Sequence, residues 1–377
     1  MQKEYKQPTR YSHMSLAVLS VLGLSAALLS PSAVTAASAE ISNNLYEQTA
    51  ISSGLASHSL MLDVADTGDR LVSVGERGFI LISDDAGRSW QQIQSPVSVT
   101  LTRVVFATPQ QGWAVGHAGV VLHTKDGGLT WQKQLDGMRI AELEVTAATD
   151  AYNLDPNQEN EFKLKMAKRL VEDGPDKPLL NLYFSDAHNG MVIGAYGLAL
   201  TTEDGGASWH SISNHLDNPS GLHLYDIIEN NGTLYIAGEQ GLLLASYDGG
   251  GSFEELNSPS MGSLFGLVST ENGAIVIYGL RGGIYLSEDS GDSWQEIPNR
   301  LPITITAGAR LQDGSLLLLD ESGRTLRSSD NGHSFSATPI AEPTYLTGLT
   351  QTQDGELILT GLRGPIRLAE GSHDRES

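Results

Sequence analysis

Six copies of one acidic phrase hold the residues of this chain best suited to chemistry. They span Ser83–Trp90 (SDDAGRSW), Thr124–Trp131 (TKDGGLTW), Thr202–Trp209 (TEDGGASW), Ser246–Phe253 (SYDGGGSF), Ser287–Trp294 (SEDSGDSW) and Ser328–Phe335 (SSDNGHSF). A recurring aspartate invites a calcium site or a carboxylate-based hydrolase. An EF-type calcium loop needs several oxygen ligands and a distal glutamate at fixed spacing, which the phrase does not supply. In a tight turn an aspartate accepts backbone N–H bonds, a glycine takes a conformation other residues resist, and the closing aromatic packs between sheets. Asp85, Asp126, Asp204, Asp248, Asp289 and Asp330 are therefore read as turn staples, and no metal or cofactor is expected.

A second motif, Gly-x-x-Gly, starts at Gly75, Gly116, Gly194, Gly238, Gly279 and Gly361, with Asp320/Gly323 as a degenerate seventh copy. A dinucleotide fingerprint requires G-x-G-x-x-G between a strand and a helix, whereas these turns join strand to strand. The chain has no G-x-S-x-G elbow, H-E-x-x-H pair or phosphate loop, and its ten histidines are scattered. No catalytic residue is assigned.

The two motifs share one period, and that period predicts the elements that carry them. The closing aromatics fall at 90, 131, 209, 253, 294 and 335, about 40 residues apart with one double step. Within the first unit, Leu60 to Ala65, Leu71 to Val74, Phe79 to Ser83 and Trp90 to Ile93 read as four short strands. A repeat of this length with several strands predicts an all-β, seven-bladed β-propeller of four-stranded blades, occupying 40–371. The double step holds a helical insert, 137–178, between blades two and three. There Phe162, Met166 and Leu170 form one apolar stripe, and Gly174-Pro175 is a stop. Six acidic phrases for seven glycine turns leave the last blade short of its outer strand. The segment Leu45 to Leu55 is the expected donor, latching the ring.

In such a blade the turn between the second and third strands lies on the same face as the connections between blades. The residues just before the second glycine, Arg77, Ala118, Tyr196, Gln240, Arg281, Ser322 and Arg363, then ring one mouth of the central channel, and the insert overhangs it. Arg77, Arg281 and Arg363 occupy one arc, suited to bidentate recognition of carboxylates. The competing reading pairs each with a nearby Glu76, Glu239 or Asp320.

Lys3, Lys6 and Arg10, an apolar stretch from Leu16 to Leu29 and small residues up to Ala39 read as an export signal over 1–39, with 372–377 as a disordered tail. The formal charge is −22; that signal carries a net +2, whose removal leaves −24. No basic run offsets this acidity, so nucleic acid is not an expected partner. The chain has no cysteine, which excludes disulfides, thiolate metal sites and a cysteine-linked lipid within it. A soluble periplasmic or otherwise exported protein is expected.

The stretch from Val105 to Trp131, with Gly112-Trp113-Ala114-Val115-Gly116-His117-Ala118-Gly119 leading into the phrase at Thr124, resembles the family of photosystem II stability and assembly factors of the thylakoid lumen. Blade three repeats the pattern from Leu182 through Gly190 and Gly194 to Trp209. Both spacings match over roughly Ser57 to Leu368. Sialidases share the acidic phrase alone; the combination with G-W-x-V-G-x-x-G is the specific part. The resemblance implies a non-enzymatic propeller that binds newly made membrane-protein segments. Its arginine patch would contact the client, with Arg77, Arg281 and Arg363 in the matching place and Tyr196 and Gln240 beside them. The missing lipid-anchor cysteine, the insert and the acidity resemble a secreted branch in non-photosynthetic bacteria, whose client would be another envelope complex such as a transporter. The alternative is a secreted sialidase-type glycoside hydrolase, using the three arginines with Tyr225, Tyr345 and Glu76 as companions.

Overall fold

Each repeat puts its most continuous apolar run in the middle, and this decides where the core forms. In blade one the second and third strands, Leu71–Gly75 and Ile80–Ser83, are buried throughout. The inner strand Met61–Asp66 is partly buried, and the outer strand Gln91–Ile93 is largely open to solvent. The computed structural model describes residues 44–340 and 343–368. The expected export signal and tail lie outside the described residues.

Seven antiparallel meanders follow in order, with inner strands Met61–Asp66, Leu101–Phe106, Leu179–Phe184, Leu224–Asn230, Leu264–Ser269, Ile305–Arg310 and Leu346–Gln351. Six sheets have four strands and the last has three among the described residues, and together they form a seven-bladed β-propeller. The core lies between blades. Val72, Val74, Ile80 and Ile82 of blade one pack with Leu101, Val104 and Leu122 of blade two, each burial worth about 1.5–3 kcal/mol. Trp113, fully buried in blade two, stacks 3.7 Å from Phe184 of blade three and donates its indole N–H to Gly205 O.

The six acidic turns repeat one bonding pattern. Asp85 Oδ1 accepts from Ser83 Oγ and the Ser89 N–H, while Oδ2 accepts from Ser89 Oγ. Asp126, Asp204, Asp248, Asp289 and Asp330 accept the same three bonds from their own repeats. Donation from the following serine, first its hydroxyl and then its N–H, holds the carboxyls of Asp85 and Asp204 at about 2.

Among the described residues no strand is shared between the first and last blades. The segment expected to complete the last blade instead lies against blade one: Ala50 N–H donates to Ser95 O, and Ser98 N–H to Leu45 O. The amides of Gln92 and Gln94 also reach Ile51 O and Ala50 O, so isolated backbone bonds and side chains of blade one, rather than a strand ladder, hold it there. Closure rests on Thr347 Oγ1 donating to Met61 O at 2.7 Å and on Val64 and Leu71 packing with Ile358. The equivalent bonds Thr102 Oγ1 to Leu179 O and Thr306 Oγ1 to Leu346 O join covalently linked neighbours.

The insert is a pair of helices, α1 (Gly137–Leu154) and α2 (Gln158–Asp173). Asp136 and Asn157 cap them by accepting the N–H of Arg139 and Asn160. Ile140 and Leu143 of α1 and Leu170 of α2 join the core between blades two and three, whereas Phe162 and Met166 stay exposed. The apolar stripe is therefore split between packing and solvent. Among the described residues, no helix is long and apolar enough to cross a membrane.

Candidate functional site

The Gly-x-x-Gly turns form one rim because their second glycines sit directly on the connections between blades. A Cβ on Gly78 would lie 2.0 Å from Val97 O, and one on Gly364 2.0 Å from Ser57 O. With no room below, the residue before that glycine points to solvent. Arg77, Ala118, Tyr196, Gln240 and Arg281 all hold φ between +55° and +59°, the left-handed region that non-glycine residues seldom occupy. In blade six Asp320 replaces the first glycine, and its carboxylate ties the turn together by accepting from the Ser322 and Arg324 N–H groups.

Arg77, Tyr196, Gln240, Arg281 and Arg363 are all exposed at this position, on the same face. Arg77 and Arg281 enter no ion pair among the described residues. The carboxylates next to them are engaged elsewhere: Glu76 Oε1 accepts the Leu60 N–H, Glu239 Oε2 the His223 N–H, and Asp320 pairs with Arg324. On blades three to five the mouth is aromatic instead. Tyr196 packs edge-on against His223 at 4.9 Å, His223 faces Tyr225, and Tyr225 leans on Phe265 at 5.2 Å. The Tyr196 N–H donates to His223 Nδ1, and Lys177, from the end of the insert, sits 5.2 Å over the Tyr196 ring.

Beneath the mouth lies a cavity of about 570 Å³. Each inner strand has a register shift at its second residue, and these seven residues, Leu62, Thr102, Leu180, Tyr225, Phe265, Thr306 and Thr347, all line it. The next residue of each strand is Asp63, Arg103, Asn181 and Asp226 on blades one to four, but Gly266, Ala307 and Gly348 on blades five to seven; Arg103, Asn181 and Asp226 line the cavity, and with Asp63 they form its floor. Arg103 stands 3.7 Å from both Asp63 and Asp226. Burial pushes both carboxyls up, and the guanidinium pulls them part of the way back. Sequence reasoning missed this floor. Alignment of the seven inner strands exposes it, as four polar residues at one offset within apolar runs.

Of the residues named for a glycoside hydrolase, Tyr225 and Tyr345 line the cavity below, whereas Arg77, Arg281 and Arg363 are exposed at the rim and Glu76 is held by the Leu60 N–H. A nucleophilic tyrosine is activated by an adjacent general base or by a lowered pKa. Burial, then Glu239, pushes Tyr225 up, and burial, then Glu321, does the same to Tyr345.

Comparison with known proteins agrees with this architecture. A profile of the family described as photosynthesis system II assembly factor YCF48 matches residues 82–149 and 165–364. The chain belongs to that family. A photosystem II assembly lipoprotein Ycf48 of Synechococcus sp. (strain CC9902) is 34% identical over 77 residues, covering 20% of this chain and 23% of the relative's length. The alignment therefore spans about a quarter of that relative. Among solved structures, YCF48 bound to D1 peptide matches with a TM-score of 0.59 at 15% identity, over 86% of this chain and 97% of the other. YCF48 from Cyanidioschyzon merolae matches with a TM-score of 0.60 at 14% identity, over 82% and 95%. At these identities the likeness is one of fold.

Proposed function

We propose that this chain is a non-catalytic, exported binding factor whose mouth holds an extracytoplasmic segment of a membrane-protein complex. The observation that carries the reading is the division of the mouth. Exposed Arg77, Arg281 and Arg363 lie on blades one, five and seven, and the Tyr196–His223–Tyr225–Phe265 arc on blades three to five. On a chain of charge −22, cations gathered at one rim suit an acidic segment, and the aromatic arc suits apolar residues flanking it. A relative solved with a D1 peptide supports the same class of client. Here the client is either a photosystem subunit or an envelope transporter, and the complex captured tells them apart.

The backbone strain adds a second argument. Glycine would sit at these turns without cost, yet Arg77, Tyr196, Gln240 and Arg281 accept φ near +55°. The fold does not call for those side chains, so their use lies in what they meet from solvent.

The test is capture from detergent-solubilised membranes of the source organism. Arg281→Glu/Arg363→Glu is expected to lower retention of the membrane partner roughly 10- to 100-fold, compared with the parent at a temperature where both are folded. Tyr196→Gly should also weaken capture while its melting temperature stays within roughly 4 °C of the parent. Undiminished retention by the double reversal would remove the rim from the site.

A further inference from the structure

We infer that the channel below the mouth is a socket for a carboxamide, the side chain of an asparagine or glutamine carried by the client segment. The inference rests on the mouth as the client-facing side, and its test is read without a client.

The floor presents donors that the protein leaves unused. Asp63 Oδ2 accepts the Val104 N–H, while Asp226 accepts the N–H groups of Ile227 and Leu267 and the amide of Asn181. Both carboxylates are thus occupied by backbone from adjoining blades. Arg103, 3.7 Å from each, is beyond hydrogen-bond range of either and makes no hydrogen bond among the described residues. Its side chain is 32% exposed, and it lines the cavity. Tyr278, only 2% exposed, also lines the cavity, and its hydroxyl has no hydrogen-bond partner among the described residues. That hydroxyl fills the space left by Gly266, where a Cβ would stand 2.1 Å away. Two sheltered donors, one charged, call for an acceptor from outside the fold.

Charge narrows the choice. Two carboxylates against one guanidinium leave the floor net negative, which opposes an incoming carboxylate, while donors turned toward the cavity oppose an ammonium group. A neutral acceptor meets both conditions. The walls fit the other half of an amide. Thr102, Thr306 and Thr347 donate their hydroxyl protons to Leu179 O, Leu346 O and Met61 O, leaving lone pairs for an NH₂ group. Tyr225, Phe265 and Tyr345 offer apolar sides, and about 570 Å³ accommodates the side chain with flanking backbone.

The probes are three capped tripeptides, acetyl-Gly-X-Gly-amide with X as glutamine, glutamate or lysine, titrated into the full chain while the Arg103 Nε–Hε resonance is followed by NMR. The glutamine probe is expected to shift that resonance and to bind about five-fold tighter than the other two. Because replacing Arg103 destabilises the fold, Tyr278→Phe, which removes one hydroxyl, provides the second arm, with a loss of about three-fold or more for the glutamine probe. Client capture and probe binding are separate readouts on the same full chain, so rim and socket fail independently. Equal binding of all three probes, preference for glutamate or lysine, an unmoved Arg103 resonance or an unaffected Tyr278→Phe protein would each overturn the socket.

Discussion

Replacing Arg103 with leucine is expected to remove about 3–5 kcal/mol of stability at neutral pH, a fall of roughly 4–7 °C in melting temperature. The loss comes from what is left behind. Asp63 and Asp226 have side chains only 8% and 6% exposed, and each is fixed by N–H groups of a neighbouring blade, so neither can turn to water. The sign of the pH dependence follows from their direction of shift. Both carboxyls titrate above their ordinary value because of burial, and loss of the guanidinium raises them further. A carboxyl raised by folding costs stability at pH above its folded pKa, and that cost fades as pH falls to the unfolded value. The penalty of Arg103→Leu should therefore shrink steadily as pH falls toward about 4. Adding Asp226→Asn should restore part of the loss at neutral pH, because one stranded charge is gone while an acceptor for Leu267 remains. Thermal melts across pH check both; a pH-independent penalty would mean that lost packing, not charge, explains it.

The same group shows where sequence reading reaches its limit. The strands were legible because six repeats place the same aspartate, glycine and aromatic at the same offsets, so turn chemistry is stated many times over. The rim residues were legible for the same reason: Arg281 follows Gly279 by two positions wherever its side chain goes. Its freedom from Glu239 or Asp320 was not, because that depends on the Glu239 carboxylate reaching back to the His223 N–H. Arg103 within LTRVVF looks like a lone charge on a strand; only the curvature of the ring brings it beside Asp63 and Asp226. The place of Leu45 to Leu55 was misread because Gln92 and Gln94 hold it through side-chain amides, which leave no alternation in the sequence.

That misreading matters for how the ring resists opening. Gly364→Ala is expected to cost about 2–4 kcal/mol, since a Cβ at φ +94° would press within 2.0 Å of Ser57 O. Gly78→Ala meets nearly the same obstacle, φ +72° and 2.0 Å from Val97 O, and serves as a matched control. The two differ in connectivity. Blades one and two are joined by continuous chain, whereas blades seven and one meet without one, through contacts that include Thr347 Oγ1 to Met61 O, the Val64, Leu71 and Ile358 cluster and Gly364 against Ser57 O. Strain at Gly78 should therefore lower global stability, while strain at Gly364 should also open the seam. Hydrogen exchange is expected to quicken selectively in Leu346–Gln351 and Met61–Asp66 of the Gly364 variant, with the other five inner strands protected as before. Arg363 directly precedes Gly364, so an opened seam should also displace one rim arginine and weaken client capture more than Gly78→Ala does at matched stability. Uniform exchange in both variants would mean that the seam is as firm as a covalent junction.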